Sequence, residues 1–288
     1  MPIVLALSAA AIWGAADFLG GFASRSIRAL QVLFVSQAIG LVAMLISVIV
    51  VPGTPTGADL AWGAVGGVLG NAGLYGLYRE LARGQAGVVA PTTAVSAALT
   101  PVAVGLALGE RPTTVTMLGV AIALIAVALL ASEGHDAGVD ATRGAKIRSA
   151  LHGGFWIAIA SGLGFGAFYV CLAQTSEAAG LWPLVASRGA SVGLMMLLPA
   201  TWRGLRTIER RPLGPASAAG ILDATANGCY VVAVRAGELT WVPVLASLYP
   251  ASTVLLARTF LHQRLGRVHA VGLALALVAI ALVTLGRG

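Results

Sequence analysis

The chain has 288 residues, of which 58% are hydrophobic and only 10% are charged, and its formal net charge is +7. A soluble globular domain carries about 25% charged residues, so this chain has too few charges to cover a water-facing surface, and its mean hydropathy of +0.90 agrees. The composition therefore excludes a soluble enzyme, a nucleic-acid reader and a disordered regulator.

Apolar runs follow one another along the chain, and each approaches the roughly 20 residues that a helix needs to cross a bilayer. Ten such spans are predicted, at 3–21, 30–51, 60–80, 86–108, 113–132, 153–174, 181–202, 214–235, 240–261 and 268–286. No basic segment precedes the first run, which predicts a retained span rather than a cleaved signal peptide. The predicted fold class is an all-α integral membrane protein of ten transmembrane helices.

Basic residues concentrate in the connections that follow the odd-numbered spans. Thirteen lie there: Arg25, Arg28, Arg79, Arg83, Arg143, Lys146, Arg148, Arg203, Arg206, Arg210, Arg211, Arg264 and Arg267. Three lie on the opposite side: Arg111, Arg235 and Arg287. The positive-inside rule places the basic loops in the cytoplasm. We expect a multi-pass protein of the cell (inner or plasma) membrane with both termini outside.

The second half of the sequence repeats the first. The segment Gly119–Leu129 (GVAIALIAVAL) returns as Gly272–Leu282 (GLALALVAIAL), 153 residues later. At an offset of 152, Trp13-Gly14 aligns with Phe165-Gly166, Tyr78 with Tyr230, and Pro91 with Pro243. We predict a five-helix repeat at 1–132, a polar cytoplasmic linker at 133–150 and a second repeat at 151–288. Because five is odd, the second copy is inverted, an arrangement typical of transporters with a central site.

Two stretches resemble the EamA family of the drug/metabolite transporter superfamily. One is the motif LxxxxIWGAADF that ends at Phe18, with its echo at Phe165-Gly166, and the other is P…GER…GxxxxxxAxxLL at 101–130. The second copy ends similarly, with Pro250, Gln263-Arg264 and Gly272. The resemblance covers nearly the whole chain. It implies that spans one, three, four, six, eight and nine surround a central cavity, with spans five and ten packed peripherally.

Ionisable residues at membrane depth are costly, by roughly 2.5–3.5 kcal/mol, and usually face a cavity or a partner. Here they are Asp17, Arg188 and Asp223. Arg188 keeps its proton and needs a counter-charge. The sequence leaves two alternatives open: Arg188 and Asp223 form a structural pair, or Arg188 meets a substrate carboxylate while Asp223 carries a proton.

Helical spacing groups the remaining candidates. Asn71, Tyr75 and Tyr78 stand at i, i+4 and i+7 on span three, and the repeat maps them onto Asp223, Asn227 and Tyr230. Trp13 and Asp17 lie one turn apart, as do their equivalents Phe165 and Tyr169. These spacings predict cavity walls, with hydrogen bonding or packing between helices as the alternative. The predicted substrate-binding residues are Trp13, Asp17, Asn71, Tyr75, Tyr78, Phe165, Tyr169, Arg188, Asp223, Asn227, Tyr230 and Tyr249.

Prolines interrupt two equivalent spans, Pro91 and Pro101 in span four and Pro243 and Pro250 in span nine. A proline inside a helix removes one backbone hydrogen bond and kinks the segment. We interpret the four prolines as gating elements, with static kinks as the alternative.

The predicted function is transport of a small-molecule substrate across the lipid bilayer by alternating access, as an exporter of amino acids or related metabolites. The export direction is implied by the resemblance. Transport would be coupled to protons through Asp17 or Asp223, or it would be facilitated flow. A monomer could hold the whole site.

The alternative within transport is a multidrug or cation exporter. An intramembrane enzyme is a remote alternative, because no histidine lies mid-span and no acids cluster. No cofactor, metal or nucleic acid is expected.

Overall fold

The computed structural model describes residues 1–23, 29–81, 86–131, 143–198, 201, 213–261 and 266–286. These residues form helices joined by short connections, with no strand among them. The α-helices are α1 (Pro2–Ala23), α2 (Ala29–Val50), α3 (Gly57–Leu81), α4 (Ala86–Ala107), α5 (Thr114–Ala131), α6 (Arg143–Ala173), α7 (Trp182–Met196), α8 (Leu213–Arg235), α9 (Val242–Ala246), α10 (Tyr249–Leu261) and α11 (Arg267–Leu285). A 3₁₀ helix, Glu177–Ala179, precedes α7.

The outer surfaces of several helices are apolar and uncovered. Ile49 on α2 is 79% exposed and Leu277 on α11 is 70% exposed. Among the described residues, six stretches are long and apolar enough to cross a membrane, and they correspond to predicted spans one, two, five, six, eight and ten. Such surfaces suit contact with lipid, in which a helix satisfies its own backbone hydrogen bonds. The chain is a multi-pass membrane protein.

The other four predicted spans differ from simple apolar helices. Helix α3 is rich in glycine, α4 contains two prolines, and α7 has only 15 residues. Span nine is not one helix but two, α9 and α10, separated at Ser247 and Leu248. All four contribute residues to the interior cavity, so packing as well as contact with lipid determines their composition.

Helix α6 begins at Arg143, ten residues before the predicted start of span six. The segment predicted as a linker over 133–150 is thus helical from Arg143 onwards, while 132–142 lies outside the described residues, and its role as a linker stays a prediction. The physical reason is that Lys146, Ile147 and Arg148 are acceptable helix formers. A polar segment can therefore extend an apolar helix beyond the bilayer.

The two halves of the chain interlock. Helix α1 packs against α8 and α10 of the second half, and α6 packs correspondingly against α3 and α4 of the first half. Helix α2 lies against α7 and α8, and α5 packs along α11. The two sequence repeats are thus joined in one helical core instead of forming separate domains.

Close approach between α3 and α7 depends on glycine. A Cβ atom at Gly63 would overlap the backbone of Pro183, and one at Gly67 would overlap the backbone of Ser187. The serine Oγ of Ser191 donates to the carbonyl oxygen of Gly67 at 3.1 Å. Small residues let membrane helices pack backbone to backbone, and this contact positions Arg188 of α7.

Polar contacts between loops close one end of the bundle. The carboxylate of Asp59, in the first turn of α3, accepts from the Thr56 and Ser176 backbone N–H groups at 2.8 and 2.7 Å, and from both hydroxyls. These hydrogen bonds, the Thr56 hydroxyl first, hold the pKa of Asp59 well below its usual range. Glu110 accepts from the backbone N–H groups of Leu239 and Thr240 at 2.7 and 2.8 Å. We call these contacts the loop latch.

Candidate functional site

A cavity of about 440 Å³ lies between the helices. Its walls come from α1, α2, α3, α4, α6, α7, α8 and the segment from Ser247 to Tyr249. Among the described residues, none of α5 or α11 lines it. The ring of spans expected from the resemblance is therefore present, and α2 and α7 add to it.

The structure brings nine of the twelve predicted site residues to this cavity. They are Trp13, Asp17, Asn71, Phe165, Tyr169, Arg188, Asp223, Asn227 and Tyr249. They come from α1, α3, α6, α7, α8 and the start of α10, so residues distant in sequence share one space. Their role in binding a substrate stays a prediction.

The other three are placed differently. Tyr75 is 59% exposed on the outer surface of α3. It follows Asn71 by four residues, a rotation of about 40° that carries it past the edge of the cavity face, which Gly67, Gly70, Asn71, Leu74 and Leu77 form on the other side of Asn71. Tyr230 is fully buried and lies behind the wall, where its hydroxyl donates to the carbonyl oxygen of Tyr169 at 3.3 Å. The side chain of Tyr78 lies outside the described residues.

A polar cluster ties four helices together beside the cavity. The guanidinium of Arg188 on α7 donates to the amide oxygen of Gln37 on α2 and forms an ion pair with Asp223 on α8. The indole Nε1 of Trp13 on α1 donates to Asp223 Oδ1 at 2.9 Å. Asn227 Nδ2 donates to the same oxygen at 3.2 Å. The sequence left open whether Arg188 pairs with Asp223 or meets a substrate carboxylate. In the structure the two side chains pair, so the charge of Arg188 is balanced inside the protein.

Aromatic rings form the wall next to this cluster. The ring of Trp13 lies 5.8 Å from the rings of both Tyr169 and Tyr230, and those two rings are 4.8 Å apart, centroid to centroid. Phe168 extends the group at 5.7 Å from Tyr169. Contacts at these separations add rigidity beyond area burial. One end of the cavity is therefore a fixed aromatic surface that suits an apolar or cationic group.

The four prolines predicted to act as gates are not equivalent in the structure. Pro91 and Pro101 lie inside α4, which remains a single helix. Pro243 stands in the first turn of α9 and Pro250 in the first turn of α10, where a proline removes no interior hydrogen bond. Pro91 and Pro101 are thus interior prolines of an unbroken α4, whereas span nine divides at Ser247 and Leu248, and the gating role stays a prediction.

Comparison with known proteins identifies the family of the chain. A family model described as the EamA-like transporter family matches residues 1–132 and 152–285. The chain belongs to the EamA-like transporter family. A solved structure described as "Crystal structure of protein" superposes with a TM-score of 0.73 over 98% of this chain and 96% of that chain, at 15% sequence identity. That likeness shows the fold, and no curated protein matched the chain.

This EamA-like cavity also contains residues that the sequence analysis did not select. The small polar residues Ser36, Thr93, Ser191 and Ser247 line it, together with Gln37 and Phe168. Serine and threonine are common in membrane helices as packing residues, so these residue types alone do not indicate that a position lines a cavity. Gln37 alone could have been chosen, since an amide at membrane depth is unusual.

Proposed function

We propose that this EamA-like chain transports a small metabolite, an amino acid or a related compound, by alternating access, and that it exports this substrate from the cell. A helical bundle with an aqueous polar space at its centre is the structure that such transport needs. The observation that carries the proposal is the 440 Å³ cavity, whose wall includes the ionisable residues Asp17, Arg188 and Asp223. An amino-acid-sized molecule fits such a volume.

The arrangement of repeats supports the alternating-access mechanism. We propose ten transmembrane segments in two inverted five-helix repeats, because α1 contacts α8 and α10 as α6 contacts α3 and α4. The loop latch closes one end of the bundle, at Asp59 and Glu110. Charge counts in the loops support an external position for this end. In the proposed cycle the latch keeps the cavity closed to the outside, and opening to that side breaks the latch contacts.

A cation exporter is the second candidate, and one contact favours it. A free arginine in the cavity would repel cationic substrates, but Arg188 is paired with Asp223. The remaining cavity carboxylate, Asp17, is thus available to a positive group. Cationic drugs and amine-bearing metabolites are both consistent with this charge arrangement.

Proton coupling is part of the proposal. A carboxylate that binds either a proton or a substrate links the two fluxes, and Asp17 is better placed for this than Asp223, which is held by the polar cluster. Because one chain supplies every wall of the cavity, we propose that the monomer is the transporting unit, in the cell membrane with both termini outside.

Efflux from proteoliposomes tests the proposal. Purified protein is reconstituted with a mixture of amino acids, amines and other metabolites, with and without a pH gradient, and losses are measured by mass spectrometry. Selective loss of a few solutes supports transport, and a gradient-dependent end-point supports proton coupling. Loss of no solute from correctly folded protein refutes the metabolite-transporter proposal, and cationic drugs are then tested in an efflux-deficient host.

A further inference from the structure

The geometry points to a substrate with a primary ammonium group, which binds at Asp17 among acceptor oxygens, while Arg188 takes no part in binding a substrate carboxylate. This inference rests on the proposed transport function and narrows its substrate class. It predicts that an amine without a carboxylate is recognised as well as, or better than, the corresponding amino acid.

The donors whose partners are described are already used within the protein. Arg188 donates to Gln37 and Asp223, and the Trp13 indole donates to Asp223. Four of the hydroxyls that line the cavity donate to backbone carbonyl oxygens, at distances from 2.7 to 3.1 Å: Ser36, Thr93, Ser191 and Ser247. A substrate carboxylate therefore finds the guanidinium, the indole and these four hydroxyls already occupied.

Two buried acceptors next to the cavity, in contrast, have no partner. Asn71 is 9% exposed and Asn227 is 3% exposed, yet within the described part of the chain their Oδ1 atoms have no hydrogen-bond partner. Both side chains are oriented by their amide nitrogens: Asn71 Nδ2 donates to the Ser191 carbonyl at 3.2 Å and Asn227 Nδ2 to the Asp223 carbonyl at 2.7 Å. Since only the nitrogen can donate to a carbonyl, each oxygen is the free atom. A buried acceptor without a donor costs about 1–3 kcal/mol, so an N–H group that gained access to either oxygen, both of which are covered by protein in this structure, would be stabilised there.

Asp17 supplies the charge. It lines the cavity one turn from Trp13, and among the described residues it has neither a hydrogen bond nor an ion pair. The other two ionised groups of the wall, Arg188 and Asp223, balance each other. With Asp17 ionised, as it would be beside a bound cation, the described wall carries one more negative charge than positive.

The aromatic residues complete the match. Trp13, Tyr169 and Tyr249 share the cavity with Asp17. An ammonium group near aromatic faces gains cation–π attraction, and the apolar part of a substrate gains contact with the rings. A small organic amine with an aromatic or branched apolar group satisfies the carboxylate, the acceptors and the rings together.

The test compares four compounds with the same side group: phenylethylamine, phenylalaninamide, phenylalanine and 3-phenylpropanoate. Binding to purified wild-type protein in nanodiscs is measured by thermal stabilisation and calorimetry. We expect binding in the order amine and amide, then amino acid, with the carboxylate bound at least tenfold more weakly than the amine. The variant Asp17→Asn should lose about tenfold or more in affinity for the three amine-bearing compounds. Glu238→Gln, an exposed loop carboxylate, is the matched control and should leave binding unchanged.

The outcomes separate this inference from the proposed function. Binding of the carboxylate equal to that of the amine, or Asp17→Asn binding like the wild type, overturns the ammonium site even if efflux of other solutes is observed. The same holds if none of the four compounds binds folded protein. Failure of all efflux with intact amine binding contradicts the transport function instead. An Asp17→Asn protein that unfolds is replaced by Asp17→Glu, for which amine selectivity should persist.

Discussion

The Arg188–Asp223 pair is expected to be a structural connection, and its removal from one side should destabilise the protein strongly. The variant Asp223→Asn leaves the guanidinium of Arg188 next to a neutral amide. Breaking a buried ion pair from one side costs about 3–5 kcal/mol. Because the Arg188 side chain is 7% exposed while that of Asp223 is 31% exposed, the lower end of that range, about 3 kcal/mol, applies.

A double-mutant cycle isolates the coupling between the two charges. Asp223→Asn and Arg188→Gln should each lower the unfolding midpoint, whereas the double variant should be more stable than the sum of the single effects predicts. Thermal unfolding can be followed with a thiol-reactive dye, since Cys171 is buried and Cys229 is partly buried in the folded protein. A coupling of about 2 kcal/mol or more is expected. Strict additivity of the two substitutions would refute the pair as a stabilising contact.

Three further predictions concern the loop latch, the helix contacts and the cavity wall. Hydrogen bonds hold the pKa of Asp59 below its usual range, so the stability that its carboxylate contributes should be complete above about pH 4 and fall at lower pH. The difference in unfolding midpoint between wild type and Asp59→Asn should therefore shrink between pH 5 and pH 2.5. A difference that grows in acid would contradict this prediction. Gly67→Val should cost about 1–3 kcal/mol by forcing α3 away from α7, while Gly189→Ala, with no atom within 4 Å of the added Cβ, should be neutral or stabilising in the same thermal assay. Tyr75→Ala should leave efflux unchanged because the Tyr75 ring lies on the outer surface. Tyr249→Ala should reduce efflux because Tyr249 lines the cavity. Equal losses of efflux in the two variants would count against the assigned cavity wall.

The sequence predicted the helices well where their surroundings are uniform. Span ten, whose described residues do not line the cavity, was expected at 268–286, and α11 covers Arg267–Leu285. Hydropathy alone determines such boundaries when a helix crosses lipid. It does not show that span nine breaks at Ser247, because that break depends on neighbouring helices and not on the apolar character of the run.

Some site residues could be predicted because charged side chains are rare inside membrane-spanning helices. Asp17, Arg188 and Asp223 were selected because charge inside a membrane needs a polar surrounding, and all three line the cavity. Tyr75 was misplaced because the spacing of Asn71, Tyr75 and Tyr78 suggested one side of Asn71, whereas the cavity face of α3 extends to the other side, through Leu74 and Leu77. Tertiary packing decides where that face lies, and no pattern in a single helix contains that information.

Pairing could not be derived from the residue types. Arg188 and Asp223 are 35 positions apart and on different helices, and the sequence allows them to pair or to remain separate. Gln37, which accepts from Arg188, belongs to a third helix. The orientation of the asparagine amides likewise depends on carbonyl groups of packed backbone, which is a property of the fold.

Access to the cavity from both sides of the membrane is the central claim, and a single introduced cysteine tests it most directly. Ser36→Cys is made in a Cys171→Ala, Cys229→Ala background, since Ser36 lines the cavity and its hydroxyl bonds only within α2. A membrane-impermeant thiol reagent is applied to one side and then to the other in oriented vesicles. Alternating access predicts labelling from each side, with a transported substrate changing the ratio of the two rates. Labelling from one side only, under every substrate and pH condition, would contradict the account.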